Sequence, residues 1–70
     1  MDAKFTEKIR QWLDTPDSER DVIAGATLLL QLNRNRVLHA NIVRRPERFM
    51  GKLEYELRKH LNIRVDGFTL

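Results

Sequence analysis

The spacing of apolar residues predicts an all-α fold. It is a compact bundle of three long helices and one short one, over about residues 2–14, 18–32, 36–44 and 46–62, followed by an irregular C-terminal tail. Three observations carry this. Apolar residues recur at helical spacing in four separate windows. A proline or a pair of asparagines separates each window from the next: Pro16, then Asn33 with Asn35, then Pro46. Strand-like alternation is confined to Ile63 and Val65 near the end.

In the first window Phe5, Ile9, Trp12 and Leu13 stand at i, i+4, i+7 and i+8, an arc of about 100° on a helix. Lys4, Glu7, Lys8, Arg10 and Gln11 lie elsewhere. Asp2 suits the N-cap, where a carboxylate accepts N–H groups that have no partner inside the helix. Trp12 is read as a core residue from its place on the stripe; its other possible role is an anchor in a partner's pocket. Pro16 disfavours a helical conformation at Thr15 and ends the helix there.

Ser18 with Asp21 three residues later fits a helix-start pattern, and Asp17, Glu19 and Asp21 suit the positive end of the dipole. That role accounts for the acidic cluster. No further oxygen ligands converge on it by spacing, so no calcium or magnesium site is assigned. From Val22 to Leu32 the apolar residues cover about 220°, roughly twice the stripe of an ordinary surface helix. A helix apolar over that width needs neighbours on two or three sides, so the others should pack around it. Gly25 lies inside the arc, where it costs ~1 kcal/mol relative to alanine. Close approach of another helix, from the same chain or a second subunit, would offset that cost.

The sequence LNRNR predicts a tight turn in which Asn33 and Asn35 act, because asparagine tolerates a left-handed backbone and caps helices. In the short third helix Leu38, His39, Ile42 and Val43 share one side, while Arg36, Ala40 and Arg44 align on another. Pro46 is well placed in the first turn of the fourth helix. There Phe49, Met50, Leu53, Leu57 and Leu61 line about 120°, and Glu54 and Arg58 form an i, i+4 pair. In the tail Asp66-Gly67 reads as a turn and Phe68–Leu70 as a fresh apolar patch. Such a tail either folds back over the bundle or leads into a longer chain.

Residues 1–70 are read as a single helical domain, at a size where folding buries only about 60 % of the unfolded chain's surface. There is no cysteine, so neither a disulfide nor a thiolate metal site can staple the fold. A partner or a second copy is the remaining route to extra burial. No run approaches the ~20 apolar residues of a membrane span, and the N-terminus lacks a signal-peptide layout. A cytoplasmic protein with no membrane contact is expected. Thirteen basic and ten acidic residues leave a net charge of +3, unevenly spread. Residues 1–33 hold four basic and six acidic side chains; residues 34–64 hold nine basic and three acidic. The asymmetry suits an anionic partner, or acidic and basic halves that meet within or between subunits.

Catalytic chemistry finds no constellation. His39 and His60, the only imidazoles, lie on different helices at the edges of apolar faces, where a packed histidine bonded to backbone is the ordinary case. Neither has a carboxylate at zinc-helix spacing, no cysteine can act as nucleophile, and Ser18 is better used as a cap. The three glycines are isolated, so none builds a phosphate loop. The chain is therefore read as non-enzymatic and without cofactor or metal.

One surface stands out. Arg48, Lys52, Tyr55 and Lys59 fall at i, i+4, i+7 and i+11, opposite the core side of the fourth helix. Cations at that spacing can follow a phosphate backbone while an aromatic ring stacks on a base. Arg36, Arg44 and Arg45 would extend the face if the third helix packs beside the fourth. Against this, exposed basic helix faces often serve solubility alone, and Glu47 and Glu56 lie close enough to neutralise part of the stripe.

The run from residue 28 to 64 resembles a block shared by a family of short bacterial helical proteins. In that block an apolar helix ends in an N-R-N-type turn, here Asn33, Arg34 and Asn35. A K-L-x-Y-E-L helix follows, here Lys52, Leu53, Tyr55, Glu56 and Leu57. The resemblance spans about half the chain. It implies a compact helical fold and no catalytic residues, and it leaves open, as the tail does, a chain that continues past Leu70.

Two function classes follow. The first is a self-associating or adaptor module, most simply a homodimer, suggested by thin monomer stability, the wide apolar arc and the opposed charges. The second is a nucleic-acid-binding protein using the basic face. Exposed leucine on the second helix would favour the former, and a positive face across the last two helices the latter.

Overall fold

A computed structural model describes residues 3–61 and forms four α-helices among them. These are α1 (Ala3–Asp14), α2 (Val22–Asn33), α3 (Arg36–Arg44) and α4 (Pro46–His60), with a 3₁₀ turn at Asp17–Glu19 between the first two. The all-α bundle is as the periodicity predicts. Helix α2 packs against α1, α3 and α4, as the width of its apolar arc demands. Helix α4 also packs against all three others, while the backbones of α1 and α3 stay apart. The architecture is thus an inner pair, α2 and α4, each packing against both α1 and α3.

The core is built where the four stripes converge. Ile9, Trp12 and Leu13 come from α1, Ala26 and Leu29 from α2, Ile42 from α3, and Leu53 and Leu57 from α4. Trp12 is only 7 % exposed, and its indole N–H donates to the Asp21 carbonyl at 2.8 Å. It is a core residue whose one polar atom is satisfied, as burial of an indole requires. No helix among the described residues is long and apolar enough to cross a membrane.

Helix α2 begins at Val22, four residues after the Ser18 start that the acidic cluster suggests. Asp21 is the N-cap, its carboxylate accepting from the N–H groups of Ile23 and Ala24 at 3.0 and 3.4 Å. Ser18 instead sits in the 3₁₀ turn, with Arg20 and Asp21 extended after it. The reason is tertiary. The Arg20 guanidinium, its side chain 4 % exposed, reaches back to α1 and across to α4. A continuous helix from Ser18 would turn that side chain elsewhere.

The LNRNR turn works by a division of labour among its three polar residues. The Asn33 side chain accepts from the Asn35 N–H at 3.0 Å, and the Asn35 side chain caps α3 by accepting from the Leu38 N–H at 2.9 Å. The left-handed residue between them is Arg34, with φ 55°, its N–H closing on the Leu30 carbonyl at 2.7 Å. Asn33 is the last helical residue of α2 and Asn35 the extended N-cap of α3, so the αL position falls to the residue between them, a correction to the expectation that an asparagine would take it. A non-glycine residue there costs on the order of 1–2 kcal/mol. Arg34→Gly should therefore stabilise the fold by ~0.5–1 kcal/mol after glycine's own entropic cost, seen as a higher urea midpoint with unchanged slope. A lowered midpoint would show that the arginine side chain contributes more than its backbone strain removes.

Helix α3 matches its expected span, and α4 begins at Pro46 as expected. Val43 is displaced from the core side where its spacing put it and is 40 % exposed, since Ile42 and Leu38 fill the contact with α2 and α4. The proposed Asp2 cap and the readings for residues 62–70 lie outside the described residues.

Candidate functional site

On α4 the wheel of the sequence survives folding. Leu53 and Leu57 face inward, and Arg48, Lys52 and Lys59 are exposed on the opposite side, with Tyr55 half-buried among them. The Lys59 ammonium lies 5.8 Å from the centre of the Tyr55 ring and 3.8 Å from a Glu56 oxygen. Glu56 thus tempers this end of the stripe, as its position suggested. A surface pair of that length is worth well under 1 kcal/mol and leaves Lys59 exchangeable.

The other end differs. Arg44, Arg45 and Arg48 are exposed within five residues of one another at the α3–α4 junction, with Lys52 one turn further along. None of them, nor Arg36, has a carboxylate in ion-pair reach among the described residues. Arg45 is the N-cap of α4 and supplies no side-chain cap, so the positive end of the helix dipole coincides with this group. The structure therefore gathers Arg44, Arg45, Arg48 and Lys52. Arg36 stands apart at the far end of α3, about 12 Å along the axis from Arg44, and Lys59 about 10 Å along α4 from Lys52.

Glu54 is withdrawn from this surface. One of its oxygens accepts from Arg58 at 3.2 Å, the pair that the spacing predicts, and the other accepts from Arg20 at 3.2 Å. Arg20 also donates to the carbonyls of Leu13 and Thr15, both at 2.9 Å, and pairs with Asp17 at 2.9 Å. Its guanidinium lies 4.7 Å from the centre of the Trp12 indole. The charge asymmetry of the sequence gives no sign of this cross-link between the acidic and basic halves, because only the fold brings residue 20 to residue 54.

His39 and His60 are both half-buried, and neither side chain hydrogen-bonds another described residue, unlike the backbone-bonded histidines expected. No three potential ligands among His, Asp and Glu gather to hold a metal ion among the described residues. An open groove of about 490 Å³ runs between α1 and α2, walled by Gln11, Thr15, Thr27 and Gln31 over an edge of Trp12. Lys8 is its only ionisable residue, so it offers no acid–base pair.

No family model, curated protein or solved structure matches this chain. The functional reading accordingly rests on its own residues. One residue of the basic face escapes the spacing argument: Gly51, exposed and one position before Lys52. The signal available for it is its place on the polar side of the wheel, where no packing calls for glycine.

Proposed function

We propose that this is a non-enzymatic, cytoplasmic binding module that holds a nucleic-acid strand by its phosphates across the outer face of α4 and its junction with α3. One observation carries the reading: Arg44, Arg45, Arg48 and Lys52 are all exposed, none forms an ion pair among the described residues, and the single exposed carboxylate among them in sequence, Glu47, leaves them in excess. Like charges held close repel one another, and a polyanion relieves that repulsion while releasing its own counterions. Arg36 and Lys59 extend the track at its two ends, and Tyr55 supplies an aromatic surface within it.

Self-association is the second reading, and it has an electrostatic rather than an apolar warrant. Leu29 is buried, and Leu28, Leu30 and Leu32 are half-buried, so no leucine of α2 is left exposed. The exposed large apolar residues among those described are Ile23, Val37 and Val43, a modest surface for a stable dimer. Glu7, Asp14 and Glu19 are exposed without a cation partner among the described residues, and could face the basic junction of a second copy.

One measurement separates the two. The mass in solution is followed with and without a random oligonucleotide, and binding by anisotropy, between about 50 and 200 mM salt. Nucleic-acid binding predicts a monomer that shifts only with oligonucleotide. It also predicts that Arg48→Gln with Lys52→Gln lowers the slope of log affinity against log salt by about 2 for a duplex probe, one for each phosphate that the variant no longer neutralises. A dimer at low salt that ignores the oligonucleotide would select the second reading.

A further inference from the structure

Two described glycines lie inside helices, and only one of them has a reason within the fold. A Cβ on Gly25 would run into Trp12 and Leu53. A Cβ on Gly51 would meet nothing within 4 Å, the side chain of Tyr55 included, and no left-handed backbone requires glycine there. Yet Gly51 sits in the second turn of α4, in an exposed helix interior, where glycine is the worst choice short of proline. Glu47 at i−4, Arg48 at i−3, Glu54 at i+3 and Tyr55 at i+4 are its neighbours on the helix surface, and Lys52 follows it in sequence.

We propose that Gly51 is a close-approach point, where the sugar–phosphate backbone of the bound strand comes down onto bare helix backbone. Arg48 and Lys52 then reach phosphates that a side chain at position 51 would hold off. Glycine serves this way wherever a ligand must approach main chain closely. Charge names the occupant: Arg48 and Lys52 beside the notch form no ion pair among the described residues, and of the two carboxylates at its rim Glu54 is held by Arg20 and Arg58, leaving only the exposed Glu47 against them, a balance that suits a phosphodiester strand better than an apolar helix. The inference rests on the nucleic-acid reading above.

The test compares the full chain with its Gly51→Ala variant, using a labelled random single-stranded oligonucleotide at about 50 mM salt and a thermal melt of each protein. The variant should melt higher, by about 4 °C, because the helix gains a better former at no steric cost. Its affinity should fall by about fivefold or more, through crowding where strand and helix meet, and the salt slope should fall with it, by no more than the two phosphates that Arg48 and Lys52 no longer reach. Binding within about twofold of the parent would overturn the inference, whereas loss of binding in the Arg48→Gln, Lys52→Gln variant would still uphold the nucleic-acid reading. A Gly51→Ala variant that melts lower would also overturn it, since the glycine would then be structural. A parent chain that does not bind the oligonucleotide at all removes both.

Discussion

Arg20→Ala should destabilise the protein by ~2–4 kcal/mol, read as a fall in the urea midpoint followed by circular dichroism. The guanidinium closes the end of α1 by donating to the Leu13 and Thr15 carbonyls, pairs with Asp17 and Glu54, and packs against the Trp12 ring. Removing it leaves two carbonyls at a helix end without their donor, each worth about 1–3 kcal/mol where water cannot replace it. Glu54 suffers less, because Arg58 still holds its other oxygen. Loss of side-chain packing on the indole adds to the cost. Arg20→Lys should recover only a minor part, since an ammonium carries the charge but cannot span acceptors on three elements as the planar fork does. With the side chain 4 % exposed, the loss should persist at high salt, where a surface pair would be screened. An Arg20→Ala midpoint close to that of the parent would mean that the network fixes geometry without adding stability.

The second large effect is a reversal of sign. Glycine to alanine inside a helix normally gains up to ~1 kcal/mol, as expected at Gly51. At Gly25 the added methyl would lie 2.5 Å from Cε2 of Trp12 and 3.0 Å from Cδ2 of Leu53. The indole cannot readily yield, because its N–H is bonded to the Asp21 carbonyl and Arg20 lies against the ring. Overpacking of this kind costs about 1–3 kcal/mol, so Gly25→Ala should be destabilising by ~1–2 kcal/mol despite its propensity gain. Gly25→Val should cost more. A cycle with Trp12→Leu locates the clash: the smaller side chain makes room for the methyl, so the double variant should be more stable than the sum of the single losses by at least ~0.5 kcal/mol. Additive losses would place the cost elsewhere than at the indole. Because Trp12 and Leu53 belong to the same chain as Gly25, this close approach is intramolecular, resolving the choice that the sequence leaves open between α1 and a second subunit.

The opposed behaviour of the two glycines shows what could be read from composition and what could not. Both lie in helical windows, and the wheel places Gly25 on the apolar side and Gly51 on the polar side. That difference is legible. The identity of the side chain over Gly25 is not, since Trp12 reaches it only after the chain has reversed direction through residues 15–21. The basic stripe of α4 was likewise legible as a spacing, together with the pair Glu54–Arg58. Which of its cations lack a carboxylate partner depended on the folded arrangement: Glu56 reaches Lys59 but not Lys52, and Glu54 is turned inward toward Arg20.

By itself the sequence determined the helical class, the central place of α2, the stripes that meet in the core, the break after the first helix at Thr15 and Pro16, and the turn at residues 33–35. Those follow from local rules, in which apolar period, proline geometry and asparagine capping act within a few residues. The tertiary structure alone decided that α2 starts at Val22 rather than Ser18, that Arg34 takes the left-handed position, and that Arg20 ties α1 to α4. Each of these is a competition between nearly equal local options, separated by only a kcal/mol or two. A buried guanidinium or a satisfied indole N–H brings a comparable free energy from elsewhere in the chain, and so settles the choice.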